Sequence, residues 1–168
     1  MKRNLLLTAA FVLFVFALSA SAQKTTDFSG SWTLDASKSN PAETMIDSQT
    51  IKVTQTATDV KVEATTKMKA MPDGAAGGAG GGGGRGGMGG GGGARDYGIG
   101  TAIKTTRQTP NGDIEISMSA KIDGMKMTLS TSTPQGSRDE TWTMNSDGTV
   151  TVQSQGRGGA VTRTYKKG

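Results

Sequence analysis

Apolar and polar residues alternate along most of this chain, and a period of two is typical of β-strands with one buried face. Ile51 and Val53, for example, share one face, while Lys52 and Thr54 share the other. The pattern recurs in about nine short segments: Trp32–Leu34, Ile51–Val53, Val60–Val62, Ile99–Ile103, Ile114–Met118, Met125–Leu129, Trp142–Met144, Val150–Val152 and Val161–Tyr165. No segment has the period of a long helix, so the sequence predicts an all-β protein.

Short turn motifs join these segments. Pro110–Asp113, Asp123-Gly124 and Ser146–Gly148 supply residues that accept positive φ in tight hairpins. Successive strands are therefore expected to pair antiparallel in an up-and-down meander, and a long meander tends to curl until its edges meet. We predict a closed barrel of about eight or nine strands. A two-sheet sandwich is the alternative, because strand alternation alone does not separate the two.

Residues 1–22 have the composition of a secretory signal peptide. Lys2 and Arg3 precede an apolar run from Leu5 to Leu18, and Ala20-Ser21-Ala22 follows. The run is shorter than the roughly 20 residues of a spanning helix. We therefore expect cleavage after Ala22, no membrane span afterwards, and a periplasmic or extracellular protein whose mature domain covers residues 23–168. An uncleaved anchor helix is the alternative.

Glycine dominates residues 74–95, where it fills fifteen positions. Glycine has no side chain to bury and loses the most backbone entropy on ordering, so we predict a disordered loop within the domain. No Lys-Ser/Thr pair follows the glycines, as a phosphate-binding loop requires. The formal net charge is only +5, which argues against a nucleic-acid partner.

The chain contains no histidine and no cysteine. Their absence excludes thiol nucleophiles, Ser-His-Asp triads, zinc-finger clusters, haem attachment and disulfides. No pair of acidic residues has the spacing of a general acid and base, and the oxygen-ligand pattern of a calcium loop is missing. We therefore expect a non-enzymatic protein with no metal and no other cofactor.

Both ends of the predicted mature chain resemble the calycins, the superfamily of lipocalins and fatty-acid-binding proteins. Phe28–Leu34 resembles their Gly-x-Trp first strand, and Val161–Lys166 resembles the Thr-Arg-x-Tyr last strand of the fatty-acid-binding branch. Asp27–Ser39 and Thr141–Gly148 are also similar to segments of small exported bacterial lipocalin-like proteins. The resemblance implies a lipocalin-like β-barrel. The branch's helical lid after the first strand is not expected here, because the connection after Leu34 is too short.

The resemblance also implies roles for individual residues. In these families the glycine lets the chain pass closely beneath a tryptophan that plugs one end of the barrel, and a late-strand arginine packs across that ring. Here these structural residues are Gly30, Trp32 and Arg163. In the fatty-acid-binding branch the Arg-x-Tyr pair also grips the ligand carboxylate, which implies that Arg163 and Tyr165 bind a ligand.

Strand parity gives an independent expectation for Arg163. It shares a face with Val161 and Tyr165, so its side chain is expected to point inward. A buried guanidinium needs a partner, because an unpaired buried charge costs several kcal/mol. Three partners are open: the ring of Trp32, the carboxylate of Glu140, which makes Glu140 a structural candidate, and the anionic head group of a ligand.

Trp142, Met118 and Met127 complete the predicted ligand site, because they lie on inward parity and methionine adapts to varied apolar surfaces. We therefore expect the barrel to bind a small apolar or amphipathic molecule, with an acid among the options. The alternative is a structural or protein-interaction barrel of the cell envelope with a filled core and no small-molecule ligand. The sequence does not indicate an oligomeric state.

Overall fold

The computed structural model describes residues 25–42, 45–69, 93–156 and 159–168. These residues form ten β-strands and contain no helix. The strands are β1 (Gly30–Asn40), β2 (Ile46–Gln55), β3 (Asp59–Met68), β4 (Ala94–Ile99), β5 (Ile103–Thr109), β6 (Gly112–Asp123), β7 (Lys126–Thr133), β8 (Gly136–Met144), β9 (Val150–Gly156) and β10 (Gly159–Lys167). The predicted signal peptide, and the predicted glycine-rich loop up to residue 92, lie outside the described residues.

The first and last strands are neighbours in a single sheet. β1 pairs antiparallel with β10, so that Trp32 lies opposite Lys167 and Leu34 lies opposite Tyr165. The Gly-x-Trp and Arg-x-Tyr segments, far apart in sequence, are therefore adjacent. From this pair the sheet continues through β2, β3 and β4 on one side and through β9, β8, β7 and β6 on the other.

A short parallel pairing between β4 and β6 closes the sheet into a barrel of nine strands. Gly98 lies opposite Ser119, and Ile99 lies opposite Ala120. The tenth strand, β5, pairs antiparallel with β6 and lies outside this ring. The predicted antiparallel meander and its closure are confirmed, and a two-sheet sandwich is not formed by the described strands.

Ile99 and Ile103 belong to two different strands, although the sequence pattern placed them in one segment. The chain doubles back between them so closely that a Cβ atom on Gly98 would overlap the carbonyl oxygen of Thr101. Gly100 follows with a φ of 80°, which favours glycine. The sharp bend directs β5 away from β4, and β6 takes its place in the ring.

The predicted loop over residues 74–95 ends inside a strand. Ala94 and Arg95 are the first two residues of β4, opposite Glu63 and Val62 of β3. Pairing with β3 gives these two backbones the hydrogen bonds that a glycine-rich coil lacks, so the ordered sheet begins earlier than composition alone indicates.

The segment before β1 packs against β1 and the end of β2, and we call this region, residues 25–32, the tryptophan end. Phe28 and Trp32 are buried. The Nε1 atom of Trp32 donates a hydrogen bond to the carbonyl oxygen of Phe28 at 2.9 Å. The ammonium group of Lys167 lies 5.9 Å from the centre of the Trp32 ring, within range of a cation–π contact. The hydrogen bond holds the segment before β1 against β1, and the cation–π contact connects β1 to β10.

Alternate side chains of the strands form the core, as the period of two predicts. The largest fully buried members include Trp32, Trp142, Tyr97, Tyr165 and Met127. The connection between β1 and β2 is only five residues long, which leaves no room for a helical lid. Among the described residues, no helix has the length and apolar character to span a bilayer.

Candidate ligand-binding cavity

A cavity of about 1170 Å³ lies between β4, β5, β6, β7 and β8. It is bordered by the first residues of β4, β6 and β8 and by the last residues of β7, and β5 forms its outer wall. The apolar part of the lining comprises Tyr97, Ile103, Ile114, Ile116, Met118 and Leu129. β5, which lies outside the ring, thus contributes one wall of the cavity.

Three arginines carry positive charge into this cavity. Arg95 shares strand parity with buried Tyr97, Arg138 shares it with buried Glu140, and Arg107 lies on the same face of β5 as Ile103. Arg107 and Arg138 are exposed at the cavity mouth, whereas Arg95 is partly buried. The lining is therefore amphipathic, with apolar walls and guanidinium groups near the entrance.

The other charged residues of the lining lie on the opposite strand parity. Asp96 and Asp139 alternate with the inward residues of β4 and β8 and are exposed. The ammonium group of Lys104 forms an exposed ion pair with Glu115 at 3.0 Å. On the parity of the buried side chains, these strands thus carry the three arginines and one carboxylate, Glu140, and of these four residues only Arg95 and Glu140 are not exposed.

Glu140 is a buried acid in the wall of the cavity, with 7% of its surface exposed. Its Oε1 atom accepts a hydrogen bond from Nε1 of Trp142 at 2.8 Å. Burial raises the pKa of Glu140 above its ordinary value of 4.5, and this effect outweighs the positive charge of Arg95, the Trp142 hydrogen bond and the positive charge of Arg163, which all lower that pKa. Burial in this wall therefore disfavours the ionised form of the Glu140 carboxyl group.

Side chains are packed in the interior around Trp142, near the end of β8, and Tyr165 of β10. The rings of Trp142 and Tyr165 stack with their centres 6.4 Å apart. The hydroxyl group of Tyr165 donates a hydrogen bond to Oε1 of Gln49 at 2.7 Å, and Nε2 of Gln49 donates to the hydroxyl oxygen of Thr66 at 2.8 Å. This network crosses from β10 to β2 and β3, so the polar atoms on this side already have partners inside the barrel.

The structure separates the residues that the sequence grouped into one ligand site. Of the predicted ligand-binding residues, Met118 lines the cavity, whereas Arg163, Tyr165, Trp142 and Met127 are not among its described lining residues. Glu140, predicted as a structural residue, also lines it. Trp142, Met127 and Tyr165 are buried in the core. Gly30 and Trp32, predicted as structural residues, lie at the tryptophan end.

Arg163 is partly buried on inward parity, and its positive charge acts on Glu140. Of the three partners that the sequence left open, Glu140 is thus electrostatically coupled to Arg163. The cation placed over the ring of Trp32 is Lys167, four residues further along β10.

Sequence reasoning missed most of the cavity lining, including Tyr97 and all three arginines, Arg95, Arg107 and Arg138. The available signal was the parity of Ile99, which continues backwards through Tyr97 to Arg95. Within the described ranges, no group of three potential metal-ligating side chains lies together.

No protein-family model matches the chain, and no curated protein matches it by sequence. Solved structures do match the barrel. A mutant of the fluorescent protein UnaG aligns with a TM-score of 0.52 and 11% identity, over 84% of this chain and 96% of that chain.

Two further solved structures align over similar lengths. A mutant of the REP1-NXSQ fatty acid transporter has a TM-score of 0.50 and 15% identity, over 83% of this chain and 97% of that chain. Human cRBP IV has a TM-score of 0.50 and 10% identity, over 85% of this chain and 99% of that chain. With the strand order and the paired terminal strands, these matches show that the chain has the calycin fold of the lipocalins and fatty-acid-binding proteins, as its Gly-x-Trp and Arg-x-Tyr segments predict.

Proposed function

We propose that the protein is an exported, non-enzymatic carrier that binds a small amphipathic molecule with an anionic head group inside its barrel. The observation that carries this proposal is the cavity of about 1170 Å³, whose lining combines apolar side chains with three arginines. This volume slightly exceeds the roughly 300 to 1,000 Å³ typical of small-molecule sites. Part of its volume belongs to the open mouth, where Arg107 and Arg138 are exposed.

The apolar walls supply affinity for an alkyl or ring system. Each methylene group transferred from water to such a wall contributes about 0.8 kcal/mol. Ile114, Ile116 and Met118 of β6 and Leu129 of β7 contribute apolar side chains to the wall. A chain of several carbons therefore gains enough free energy to offset the entropy lost on binding.

The arginines supply preference for a negative head group. The lining carries four cationic side chains, three of them the arginines Arg95, Arg107 and Arg138, against three carboxylates, which leaves an excess of one formal positive charge. A guanidinium binds carboxylate, sulfonate or phosphate oxygens with two parallel hydrogen bonds. One of the structurally similar barrels is a fatty acid transporter, which supports this class of ligand. Export rests on the signal-peptide pattern of residues 1–22.

Titration of the purified protein with a dansyl-labelled undecanoic acid tests the proposal. We expect saturable binding with a blue-shifted dansyl emission, and competition by unlabelled decanoic acid. The variant Met118→Trp places an indole ring in the cavity and should weaken binding at least tenfold. Absence of saturable binding by the wild-type protein would refute the proposed function.

Met125→Trp provides the matched control, because Met125 is half exposed in the β6–β7 turn and does not line the cavity. It makes the same substitution without filling the site. If both variants bind the probe as the wild type does, the ligand lies elsewhere on the protein.

A further inference from the structure

Glu140 is an acidic residue in a cavity proposed to bind an anion, and anion binding alone does not explain its presence. It is a buried carboxylate in the same wall as the arginines, and ionised acids are rarely buried without a specific role, because desolvation costs several kcal/mol. Its hydrogen bond from Trp142 fixes the carboxylate in place. A head group that approaches Arg95 therefore approaches a second negative charge.

The charged and titratable groups around Glu140 come from four strands. They are Arg95, Asp96 and Tyr97 on β4, Lys104 and Arg107 on β5, Arg138 and Asp139 on β8, and Arg163 on β10. The residues opposite Glu140 in the flanking strands are Leu129 of β7 and Ser154 of β9, which carry no charge. Arg95 makes the largest favourable electrostatic contribution to the ionised form of Glu140, followed by the Trp142 hydrogen bond and then Arg163.

We propose that Glu140 is an internal counter-charge for Arg95, that the anionic head group of the ligand takes over this role, and that Glu140 then takes up a proton from solution. This inference rests on the proposed function, since it concerns the same cavity. One negative charge enters with the ligand and one is neutralised by the proton, so the charge of the site changes little on binding. Anion binding and proton uptake are consequently coupled.

Thermodynamic linkage sets the direction of the effect. If binding takes up a proton, affinity rises as pH falls through the range in which Glu140 titrates. The slope has an upper limit of about tenfold per pH unit, which corresponds to one proton per ligand. An exported carrier with this property binds anions more tightly in acidic surroundings and releases them as pH rises. A cationic amphiphile has the opposite dependence, because it favours ionised Glu140.

Three probes with the same alkyl chain separate the possibilities: decanesulfonate, decanol and decylamine. Decanesulfonate remains ionised throughout the useful pH range, so any proton taken up on binding belongs to the protein. Isothermal titration in buffers of different ionisation enthalpy measures that proton directly. We expect fractional proton uptake with decanesulfonate and an affinity that increases severalfold per unit of acidification, with neither effect for decanol.

Glu140→Gln is the decisive variant, because glutamine retains an oxygen that accepts the Trp142 hydrogen bond while the negative charge is lost. We expect it to bind decanesulfonate without proton uptake, independently of pH, and more tightly than the wild type does near neutral pH. Asp139→Asn, at the exposed neighbouring position of opposite parity, is the matched control and should retain the wild-type proton uptake.

The outcomes distinguish this inference from the proposed function. Undiminished proton uptake in Glu140→Gln, or equal and pH-independent binding of decanesulfonate and decanol by the wild type, would overturn the role of Glu140 while leaving ligand binding intact. If the wild type binds none of the three probes and does not bind the dansyl acid, the proposed function itself is refuted.

Discussion

The ring of Tyr165 lies parallel to the ring of Trp142, with only 2° between the planes and 6.4 Å between the centres. Tyr165 is the tyrosine of the Arg-x-Tyr segment, yet its hydroxyl group is engaged by Gln49. The residue that the family resemblance assigned to a ligand carboxylate thus contributes to the packed side of the barrel. The cavity lies on the other side, beside β4 and β5.

Tyr165→Phe should therefore reduce stability without weakening binding of the dansyl acid. The substitution retains the stacked ring but leaves the buried oxygen of Gln49 without its donor, which costs about 1 to 3 kcal/mol. Denaturant unfolding followed by tryptophan emission measures the loss. A stable Tyr165→Phe protein with abolished binding would instead place the head group beside Tyr165.

Glu140→Gln should change how stability depends on pH. Because the folded-state pKa of Glu140 is raised by burial, its contribution to stability is greatest at low pH, below about 4.5, and is lost as pH rises through the folded-state value. The melting temperature of the variant should thus exceed that of the wild type near neutral pH, and the difference should shrink on acidification. A difference that does not vary with pH would contradict this assignment.

Asp35 has the opposite dependence. Its carboxylate accepts hydrogen bonds from the ammonium group of Lys166 at 2.7 Å and from the hydroxyl group of Ser37 at 2.6 Å. These two contacts lower the pKa of Asp35 from 3.8 to about 2. Its contribution is therefore present above pH 3.8 and is lost as pH falls through about 2.

Asp35→Asn should accordingly lower the melting temperature near neutral pH and have little effect at pH 2. Glu115→Gln is the control, because the pair between Glu115 and Lys104 is well exposed on both sides and such pairs contribute little. If both variants lose a similar amount in melting temperature, the Asp35–Lys166 pair stabilises the protein no more than the exposed Lys104–Glu115 pair does.

Gly98→Ala should destabilise the barrel, since its Cβ atom would overlap the carbonyl oxygen of Thr101. Relief of that overlap requires a backbone shift at the closing pair of β4 and β6, at a cost of about 1 to 3 kcal/mol or more. Gly93→Ala is the matched control, because a Cβ atom there meets nothing within 4 Å. Equal midpoints of denaturant unfolding for the two variants would contradict the close approach.

Most of the fold follows from local information. The alternation around Trp32, Ile51, Val60 and Val152 predicts strands correctly, because each of these strands has one solvent-exposed face and one buried face. The bend after Ile99 was not predicted, because Ile99 and Ile103 keep the same parity and look like one strand. The close approach of Gly98 to the carbonyl oxygen of Thr101 divides the segment into two strands. The periodicity of side chains does not predict such a backbone contact.

The site was less predictable than the fold. Inward parity identified Arg163 and Glu140 because each interrupts an apolar face, and the same reasoning identifies Arg95 once β4 is known to begin at Ala94. The glycine-rich composition just before Arg95 hid that strand. β5, which lies outside the ring, contributes one wall of the cavity, and composition does not encode this non-local arrangement.

Eight of the nine strand pairings in the ring are antiparallel ladders of four to nine residue pairs, whereas the ninth has only two, Gly98 with Ser119 and Ile99 with Ala120. Sheets part first where fewest backbone bonds must break together. Amide hydrogen exchange at this junction is consequently expected to be faster than in the β7–β8 ladder. A pulling force applied across the ring should separate β4 from β6 before any other pair of strands.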